Sequence, residues 1–537
     1  MSDDFDVLII GSGAGGGMTA HALCEQGFNV GLIERGKRFN PQKDYILNYD
    51  DWESRSNPLK KARRPEQSIN QRYQTPIMIN GKVRHRSALI YHRVYGVGGS
   101  TLHYQGEAHR FAEHAFNTRQ TYGWGVDWPI NYSDLAPHYQ KAEQLLGVAG
   151  QPGNPFKPER GAFPTPAHPL SARSQILAES AERIGMSLLA NTLALPSVSF
   201  DGRLACQHSG GCNFGCVFSA KSSVDQALIP KAEKTGNLTL LTEARVLKLV
   251  LDGQGEIEAV QCKNRIGHYT LSARVYVLAG GAVETPRLLL HSQNAAHPNG
   301  FANQHDQVGR YFMETVIAFH SIMLSADITT YRGPPLDSRV WDFCKPADNS
   351  INGFVLGAAG YLYPSFGPTH HAIRTKGIGR AHKTEVRKTF GRKLRLFGIA
   401  EQQPRADNRI TLSEYRDDAG VPKVNIHSAY SNQDIHTIKV MKNKLKDWAN
   451  ATATKEIGRA RDSRYQSSAT HVGGTCRMGN NPKHSVVDAF GKVHESRNCY
   501  ITDASVLPTQ GAGDSPSLTI QALALRTADK IAADLNA

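Results

Sequence analysis

Short apolar runs and a glycine-rich turn organise the first 36 residues. The run DFDVLII (4–10) has the length of a buried parallel strand, and GSGAGGG (11–17) forms the turn after it. MTAHALCEQGF (18–28) then reads as a helix, and NVGLIERG (29–36) as a second strand. The order strand, turn, helix, strand predicts the beginning of an α/β fold.

Weaker patterns continue along the chain. Residues 40–90 are polar and predict a long excursion, whereas 127–148 contain a helix with apolar spacing. Residues 238–280 predict a strand meander that ends in a further buried strand. The stretch 300–460 is β-rich and irregular, and an amphipathic helix at 517–535 closes the chain.

Length and hydropathy limit the class of protein. A chain of 537 residues exceeds the size at which one hydrophobic core stops growing, so two or more lobes are expected. No apolar run approaches the ~18 residues of a membrane span. The start, MSDDFDVLII, lacks the basic residues and long apolar stretch of a signal peptide. The default expectation is a cytoplasmic protein, and export to the periplasm with a partner subunit stays open.

The positive charge does not indicate a nucleic-acid-binding protein. Lys and Arg number 62 against 48 Asp and Glu, which gives a net charge of +14. The excess is dispersed, and no nucleic-acid-binding motif accompanies it, so nucleic acid is not expected as a partner. The densest basic run, at 380–395, is either a solvated face or a docking surface for an acidic redox partner or anionic lipid.

The first turn carries the fingerprint of a dinucleotide site. Gly11, Gly13 and Gly16 fit G-x-G-x-x-G around Ala14, between a predicted strand and a predicted helix. Such glycines permit the tight turn, the approach of a pyrophosphate and close helix packing, while the helix N-terminus supplies N–H donors. Glu34, followed by Arg35, ends the second strand, where a carboxylate accepts hydrogen bonds from a ribose. The same fold binds FAD or NAD, so this motif alone does not choose between them.

Five further segments carry a family resemblance. They are YGVGGSTLHYQGEAHR (95–110), AGGAVETPRLLLHS (279–292), AEQQPRADNRITLS (400–413), HVGGTCRMG (471–479) and ITDASVLPT (501–509). Their order along the whole chain resembles that of the glucose-methanol-choline (GMC) oxidoreductases, which are FAD enzymes. The bacterial sugar, gluconate and polyol dehydrogenases of that family look most similar.

The resemblance implies an α/β fold with two parts. A Rossmann-like FAD-binding domain would be discontinuous, and an α+β substrate-binding domain with a mainly antiparallel sheet would complete the pocket. The FAD-binding domain is predicted over 1–45, 90–125, 195–300 and 465–537. The substrate-binding lobe and its excursions are predicted over 46–89, 126–194 and 301–464.

Further FAD contacts follow from the resemblance. It places Gly98, Gly99 and Ser100 near the flavin ring, Val246 at the adenine end, and Asp503 with Ala504 along the pyrophosphate and ribityl chain. His103 lies where some members attach the flavin covalently and others keep a histidine without that bond.

The resemblance also implies a catalytic base. Oxidation of an alcohol requires a group that accepts the hydroxyl proton, and a histidine has a suitable pKa. His471 occupies the position of the family's catalytic histidine. A second His or Asn usually follows some forty residues later, but this chain reads GAGDSPSLTI (511–520), which places Ser515 there beside Asp514. Either residue is a candidate for the second role, and Asp514 could instead cap the closing helix.

Three cysteines leave several alternatives open. Cys206, Cys212 and Cys216 have the C-x5-C-x3-C spacing of the family's dehydrogenases that bind a three-iron (3Fe-4S) iron–sulfur cluster. Val217 replaces the proline that often follows, and similar segments occur in members expected to lack a cluster. The predictions are therefore an iron–sulfur site or no metal, with zinc (His208 as a fourth ligand) or a disulfide as less favoured alternatives.

These expectations combine into one predicted activity. The chain would oxidise a CH–OH group of a sugar, polyol or related small molecule by hydride transfer to flavin N5, with His471 as the base. An electron-carrier protein, a small partner subunit or a quinone would accept the electrons. An oxidase that uses oxygen is the first alternative, and a flavin-containing lyase or docking subunit is the second. The substrate and the oligomeric state cannot be read from the sequence.

Overall fold

The computed structural model describes most of the chain. It covers residues 4–48, 93–330, 332–346, 348–360, 367–452 and 471–537, with the backbone of short strands between them at 67–68, 72–79, 82–91, 455–456, 461–462 and 468–469. Within the excursion predicted over 40–90, residues 49–66, 69–71 and 80–81 lie outside the described residues.

A five-stranded parallel sheet forms the first half of the architecture. From edge to edge it contains Leu238–Leu241, Val30–Ile33, Phe5–Ile10, Ala273–Leu278 and Cys499–Ile501. Val7, Leu8 and Ile9 in its central strand are fully buried, as expected for a parallel strand covered on both faces. The first strand, turn, helix and second strand are therefore confirmed, and the predicted α/β class with them.

The first helix, Ala14–Glu25, packs closely against the closing helix, Ser517–Asn536, and lies against Thr502, which follows the last strand. A methyl group on Gly15 would lie 1.5 Å from the carbonyl oxygen of Thr502. Glycine is required at that point because any side chain would push the helix off the sheet.

The predicted meander is correct only in part. Arg245–Leu251, Ile257–Lys263 and His268–Leu271 form a three-stranded antiparallel sheet. Leu238–Leu241, which was predicted as the start of that meander, instead pairs in parallel with Val30–Ile33. The error arose because an apolar run of four residues fits either environment.

A second, antiparallel sheet of seven strands confirms the predicted mixed architecture. In order it contains Lys455–Glu456, Val316–Met323, Lys393–Ala400, Phe354–Gly360, Ser338–Val340 and Leu188–Ala190, with Arg461–Asp462 also paired to Val316–Met323. The helix Asn432–Ala451 packs on one face and buries Ile438, Met441, Leu445 and Trp448.

That helix was not predicted, since the stretch 300–460 was expected to be β-rich. Its first turn nevertheless carries a signal: Ser431 caps the helix and accepts a hydrogen bond of 3.0 Å from the N–H of Asp434, whose side chain reaches back in a capping box.

Further helices and strands complete the described part of the chain. The other α-helices are Thr118–Tyr122, Tyr132–Leu146, Ala172–Glu182, Val224–Ala227, Ile229–Lys234, Gly281–His291, Pro368–Arg374 and Gly379–Thr389. The 3-10 helices are Ile46–Asn48, Gly99–Leu102, Glu113–Ala115, Cys212–Phe214 and Ala504–Val506. The remaining strand pairings join Arg409–Arg416 with Pro422–His427, Ala149–Gly150 with Thr165–Pro166, Gln67–Ser68 with Arg93–Val94, and Lys82–Tyr91 with both Arg72–Ile79 and Ser468–Ala469. Tyr132–Leu146 confirms the helix predicted within 127–148, and Ser517–Asn536 confirms the closing helix.

In the part of the chain that the structure describes, no helix is both long and apolar enough to traverse a bilayer. The strands of the two large sheets fall within the segments predicted for the two domains. The domain boundaries themselves stay a prediction.

Candidate active site

One cavity of about 650 Å³ is lined by both large sheets. At one end it is bordered by the turn after the first parallel strand, and at the other by side chains of the antiparallel sheet, among them Phe319, Arg339 and Phe397. A cavity that extends from a glycine turn to a separate substrate lobe is the usual form of a cofactor site with a substrate pocket.

The glycines of the first turn divide into two kinds. Gly11 has φ of +104°, and a methyl group on it would lie 2.5 Å from the carbonyl oxygen of Ala279, so this position requires glycine. A methyl group on Gly13 would meet no atom within 4 Å, because Gly13 faces the cavity. The turn therefore leaves room for a phosphate beside the first helix N-terminus, as a dinucleotide requires.

Glu34 is held rigidly at the same end of the cavity. It is buried, and its carboxylate accepts hydrogen bonds from the Ser12 hydroxyl at 2.6 Å and from the N–H groups of Gly36 and Gly96 at 2.8 and 3.2 Å. Burial raises the pKa of Glu34, although these hydrogen bonds oppose the shift. The carboxylate thus lies fixed where a ribose hydroxyl could donate to it.

Most of the predicted cofactor residues line this one cavity. They are Gly11, Gly13, Ala14, Glu34, Arg35, Gly99, Ser100, His103, Val246, Asp503 and Ala504. Gly16 and Gly98 lie behind the wall: Gly16 packs against the carbonyl of Gly11, and the N–H of Gly98 donates to the Ser12 hydroxyl at 3.1 Å. The structure brings these residues together, while their individual roles stay predictions.

Asp503 joins two of the predicted loops. Its carboxylate accepts hydrogen bonds from the N–H of Gly281 at 2.8 Å and the hydroxyl of Thr285 at 2.5 Å. Burial raises the pKa of Asp503, and these donors oppose the shift. The segment 501–509 is thereby tied to the glycine turn at 279–281.

Arg35 and His103 are oriented by specific partners. The Arg35 guanidinium lies 4.1 Å from the centre of the Tyr95 ring and donates to the Tyr95 hydroxyl at 2.8 Å. His103 Nδ1 lies 2.7 Å from the carbonyl oxygen of Asn213, so that nitrogen carries a proton. Covalent attachment of a flavin at His103 stays a prediction.

His471 faces the cavity as a neutral imidazole. Burial, which disfavours the imidazolium, lowers the pKa of His471 to about 4, although the negative charge of Glu107 opposes the shift. Its Nδ1 has no hydrogen-bond partner among the described residues. The segment is fixed by a hydrogen bond of 2.5 Å from the Gln510 side chain to the His471 carbonyl and by antiparallel pairing of Gly473 with Met313.

A buried carboxyl group supports the loop that holds His471. Glu401 accepts hydrogen bonds from the N–H groups of Gln510 at 2.5 Å and Ala512 at 3.2 Å. Burial raises the pKa of Glu401 to about 7 despite these donors. Glu401 therefore acts on the site through the Gln510 loop.

The two candidates for the second catalytic role lie in different places. Ser515 lines the cavity, whereas Asp514 does not. Asp514 is buried, forms an ion pair with Lys157, accepts a hydrogen bond of 3.2 Å from Trp341 Nε1 and lies 3.1 Å from His109 Nδ1. The positive charge of Lys157 holds the pKa of Asp514 well below its usual value, although burial alone would raise it.

The alternative that Asp514 caps the closing helix is wrong. The N-cap residue is Pro516, and no side chain caps that end through a hydrogen bond. Asp514 forms an ion pair with Lys157 instead, which offsets the cost of burying its charge. Because its carboxylate does not line the cavity, Asp514 has no direct access to a substrate bound there.

Lys157→Met is expected to lower the free energy of unfolding by about 3–5 kcal/mol, because it leaves the Asp514 charge buried and unpaired. Equilibrium urea unfolding of the holoenzyme measures the change. Adding Asp514→Asn to the Lys157→Met variant should recover much of the loss, since the unpaired charge is then removed. A Lys157→Met protein as stable as the wild type would contradict the assignment.

The sequence analysis did not predict that Glu107 and Arg339 belong to the site. Glu107 is 6 % exposed, lines the cavity and receives hydrogen bonds from Arg339 Nε at 2.7 Å, Asn191 Nδ2 at 2.8 Å and the Ser515 hydroxyl at 3.0 Å. Although burial opposes it, the charge of Arg339 lowers the pKa of Glu107 to about 2, so the pair is ionised. The one signal in the sequence was a charged residue within the glycine-rich segment 95–110.

The three clustered cysteines lie near one another but do not form a preformed metal site. Cys206, Cys212 and Cys216 border a separate cavity of only about 10 Å³. Within the described residues, no three His, Cys, Asp or Glu side chains are arranged to hold a metal ion. All eight cysteines are free, so the disulfide alternative is wrong. The side chains do not fit a cluster as they stand, and no step is assigned to iron.

Comparison with known proteins supplies the family. Two GMC oxidoreductase family models match residues 48–315 and 404–524. A 6'''-hydroxyparomomycin C oxidase of Streptomyces lividus is 30% identical, over 99% of this chain and 92% of that protein. A fructose dehydrogenase large subunit of Gluconobacter japonicus is 27% identical, over 99% of this chain and 98% of that protein. The crystal structure of pyridoxine 4-oxidase from Mesorbium loti has a TM-score of 0.67 at 19% identity, covers 98% and 99% of the two chains, and supports the fold.

The chain belongs to the GMC oxidoreductase family and is an oxidoreductase. Membership implies FAD as the cofactor. The residues present fit that group, because Gly13 opens onto the cavity where a phosphate would lie and Glu34 is fixed within reach of a ribose. The predicted resemblance is confirmed.

Proposed function

We propose that this protein is an FAD-dependent oxidoreductase that oxidises an alcohol group of a sugar, polyol or related small molecule. The observation that carries the proposal is a neutral histidine, His471, facing a cavity that continues from the glycine turn. The names of the two relatives above, which contain hydroxyparomomycin C and fructose, also support this class.

His471 is suited to accept the hydroxyl proton. Its pKa of about 4 leaves an unprotonated nitrogen at neutral pH, and the nearby Arg339 charge adds to the lowering caused by burial. Bound FAD would supply the acceptor for the hydride that leaves the same carbon. Gln510 and the Gly473 pairing hold the imidazole segment in place while the proton moves.

The antiparallel sheet contributes apolar side chains to the cavity wall. Ile317, Phe319, Phe397 and Ile399 project from the antiparallel sheet into the cavity. Apolar walls strengthen the electrostatic interactions inside the site and protect the transferred hydride from side reactions.

Anaerobic reduction of the flavin tests the activity. The holoenzyme is mixed under argon with paromamine, fructose, gluconate and simple diols, and the flavin absorbance is followed. Bleaching by at least one alcohol is expected, with production of the matching carbonyl compound. Absence of bleaching across the panel would oppose the proposal and favour a lyase.

Reoxidation distinguishes the two electron acceptors. We propose a carrier protein, partner subunit or quinone, and one of the relatives is itself named as a large subunit. Reduced enzyme mixed with air should then reoxidise slowly, whereas a quinone should reoxidise it rapidly. Fast reoxidation by oxygen would establish an oxidase instead.

The pH dependence of flavin reduction follows from His471. Because a protonated imidazole cannot accept a proton, kcat/KM should be level from about pH 5 upward and should fall about tenfold per pH unit below about pH 4. Stopped-flow reduction, with circular dichroism to confirm folding at each pH, measures the profile. A falling limb centred near pH 6.5 would show that the cavity does not keep the imidazole neutral.

A further inference from the structure

An exposed helix precedes one of the strands of the seven-stranded sheet. The helix is Gly379–Thr389, the strand is Lys393–Ala400, and the helix contacts the short helix before it, Pro368–Arg374. Three of its residues are partly or fully buried, namely His382, Val386 and Thr389, whereas the other eight are exposed. The three recur at intervals of four and three residues, so they form the inner face and leave the rest of the helix to solvent.

The segment 374–389 carries a concentrated positive charge. Its exposed cations are Arg374, Lys376, Arg380, Lys383, Arg387 and Lys388. Glu385 is the single acid in this segment, so its net charge is +5 (six minus one). Within the described part of the chain, no ion pair joins any of these cations to an acid. Their mutual repulsion is therefore largely uncompensated by the protein, which suits the segment to an anionic partner.

Two isoleucines are exposed beside these cations. Ile378, immediately before the helix, is 89 % exposed, and Ile373, five residues earlier, is 39 % exposed. Lys376 and Arg380 each lie two residues from Ile378. An aliphatic side chain held in water gains free energy when it enters an apolar environment, so the segment presents a second, apolar means of binding next to the charged one.

An anionic bilayer fits both features better than an acidic protein does. A protein face that attracts so many cations is lined by carboxylates and offers little apolar area to Ile378. A bilayer supplies phosphate groups directly above acyl chains, so cations and an aliphatic side chain can be accommodated together.

We propose that residues 373–388, here called the basic surface, bind the protein to membranes that contain anionic lipid. The cations contact the phosphate groups, and Ile378 enters the interface beside them. This inference does not depend on the proposed chemistry. Membrane binding would bring the enzyme to quinones dissolved in the bilayer, which are one class of electron acceptor proposed above.

Flotation of the holoenzyme with lipid vesicles tests the assignment. The vesicles contain phosphatidylcholine alone or phosphatidylcholine with an equal amount of phosphatidylglycerol. At low ionic strength the affinity for the mixed vesicles should exceed that for phosphatidylcholine about tenfold or more, because an anionic membrane attracts each nearby Lys or Arg. About 0.5 M salt should release most of the protein, because exposed charges are then screened.

Two variants remove the two features separately. Lys383→Glu combined with Arg387→Glu reverses two charges and should weaken binding to the mixed vesicles about thirtyfold or more. Ile378→Ser keeps every charge and should weaken binding about fivefold. None of these residues lines the cavity, so anaerobic flavin reduction should be unchanged in both variants.

Matched substitutions elsewhere control for net charge and for exposed apolar area. Lys141→Glu combined with Lys234→Glu makes the same change in charge at two exposed positions, on the helices Tyr132–Leu146 and Ile229–Lys234. Ile266→Ser removes an isoleucine that is 97 % exposed on an antiparallel hairpin. Neither control should alter vesicle binding.

Equal binding of the wild type to the two kinds of vesicle would overturn the inference. Wild-type affinity in both variants, or an equal loss of affinity in the controls, would also overturn it. Binding to poly-L-glutamate without binding to the mixed vesicles would assign the basic surface to an acidic protein instead. Vesicle binding as expected, with no reduction of the flavin by any alcohol, would support this inference and oppose only the proposed function.

Discussion

Replacing His471 with asparagine is expected to slow flavin reduction by alcohol about a thousandfold. Asparagine retains a polar side chain of similar size but has no nitrogen that can accept the proton, and general-base catalysis is worth about 10²- to 10⁴-fold. Anaerobic stopped-flow reduction of His471→Asn holoenzyme measures the rate. The variant should still bind FAD, because the backbone of this segment is held by the Gln510 hydrogen bond to the carbonyl of residue 471 and by the pairing of Gly473.

His320→Asn is the matched control for a buried histidine. His320 is 4 % exposed on the strand Val316–Met323, but its side chain alternates with those of Ile317 and Phe319, which face the cavity. It therefore points to the opposite face of the sheet. Flavin reduction should be unchanged in His320→Asn, and an equal loss in both variants would indicate that His471 acts only on the fold.

Gly13→Val is expected to weaken FAD binding about a hundredfold while leaving the apoprotein folded. The new side chain enters the open space beside the first helix N-terminus, where phosphate oxygens would otherwise receive backbone N–H bonds. Hydrogen bonds to charged groups are worth about 1.5–3 kcal/mol each, and 1.4 kcal/mol is tenfold in affinity. Titration of apoprotein with FAD, followed by flavin fluorescence, measures the change.

Substitutions at two other glycines serve as controls for that measurement. Gly161→Val is a control at an exposed position with no atom within 4 Å, and it should bind FAD normally. Gly16→Ala should destabilise the apoprotein itself, because its methyl group would lie 1.9 Å from the Gly11 carbonyl oxygen. Wild-type FAD affinity in Gly13→Val would contradict a phosphate position at this turn.

The cofactor end of the site was predictable because its chemistry is local. The spacing of Gly11, Gly13 and Gly16 indicates a tight turn that a phosphate can approach closely. The position of Glu34, within the same 24 residues, indicates a fixed carboxylate. Local backbone requirements of this kind leave a strong pattern in the sequence. The structure places Gly11, Gly13 and Glu34 on one cavity, with Gly16 packed behind its wall.

The substrate end was not predictable, because it is assembled from distant strands. Arg339 meets Glu107 across 232 positions of sequence, and nothing in the residues around Arg339 marks it. The burial of Asp514 likewise depends on Lys157, 357 positions away. Side-chain pairing at such separations is set by sheet register and packing, which single-sequence patterns do not record.

The strand order of the parallel sheet has a consequence for biosynthesis. Phe5–Ile10 leaves the ribosome well before its neighbour Ala273–Leu278, which follows more than 260 residues later, and the edge strand Cys499–Ile501 follows after more than 200 further residues. The nascent chain must therefore keep this apolar strand unpaired on one side until Ala273–Leu278 has been made, a state prone to aggregation. The cavity that would hold the flavin nucleotide is complete only after Asp503, Ala504 and Ser515 have also been made.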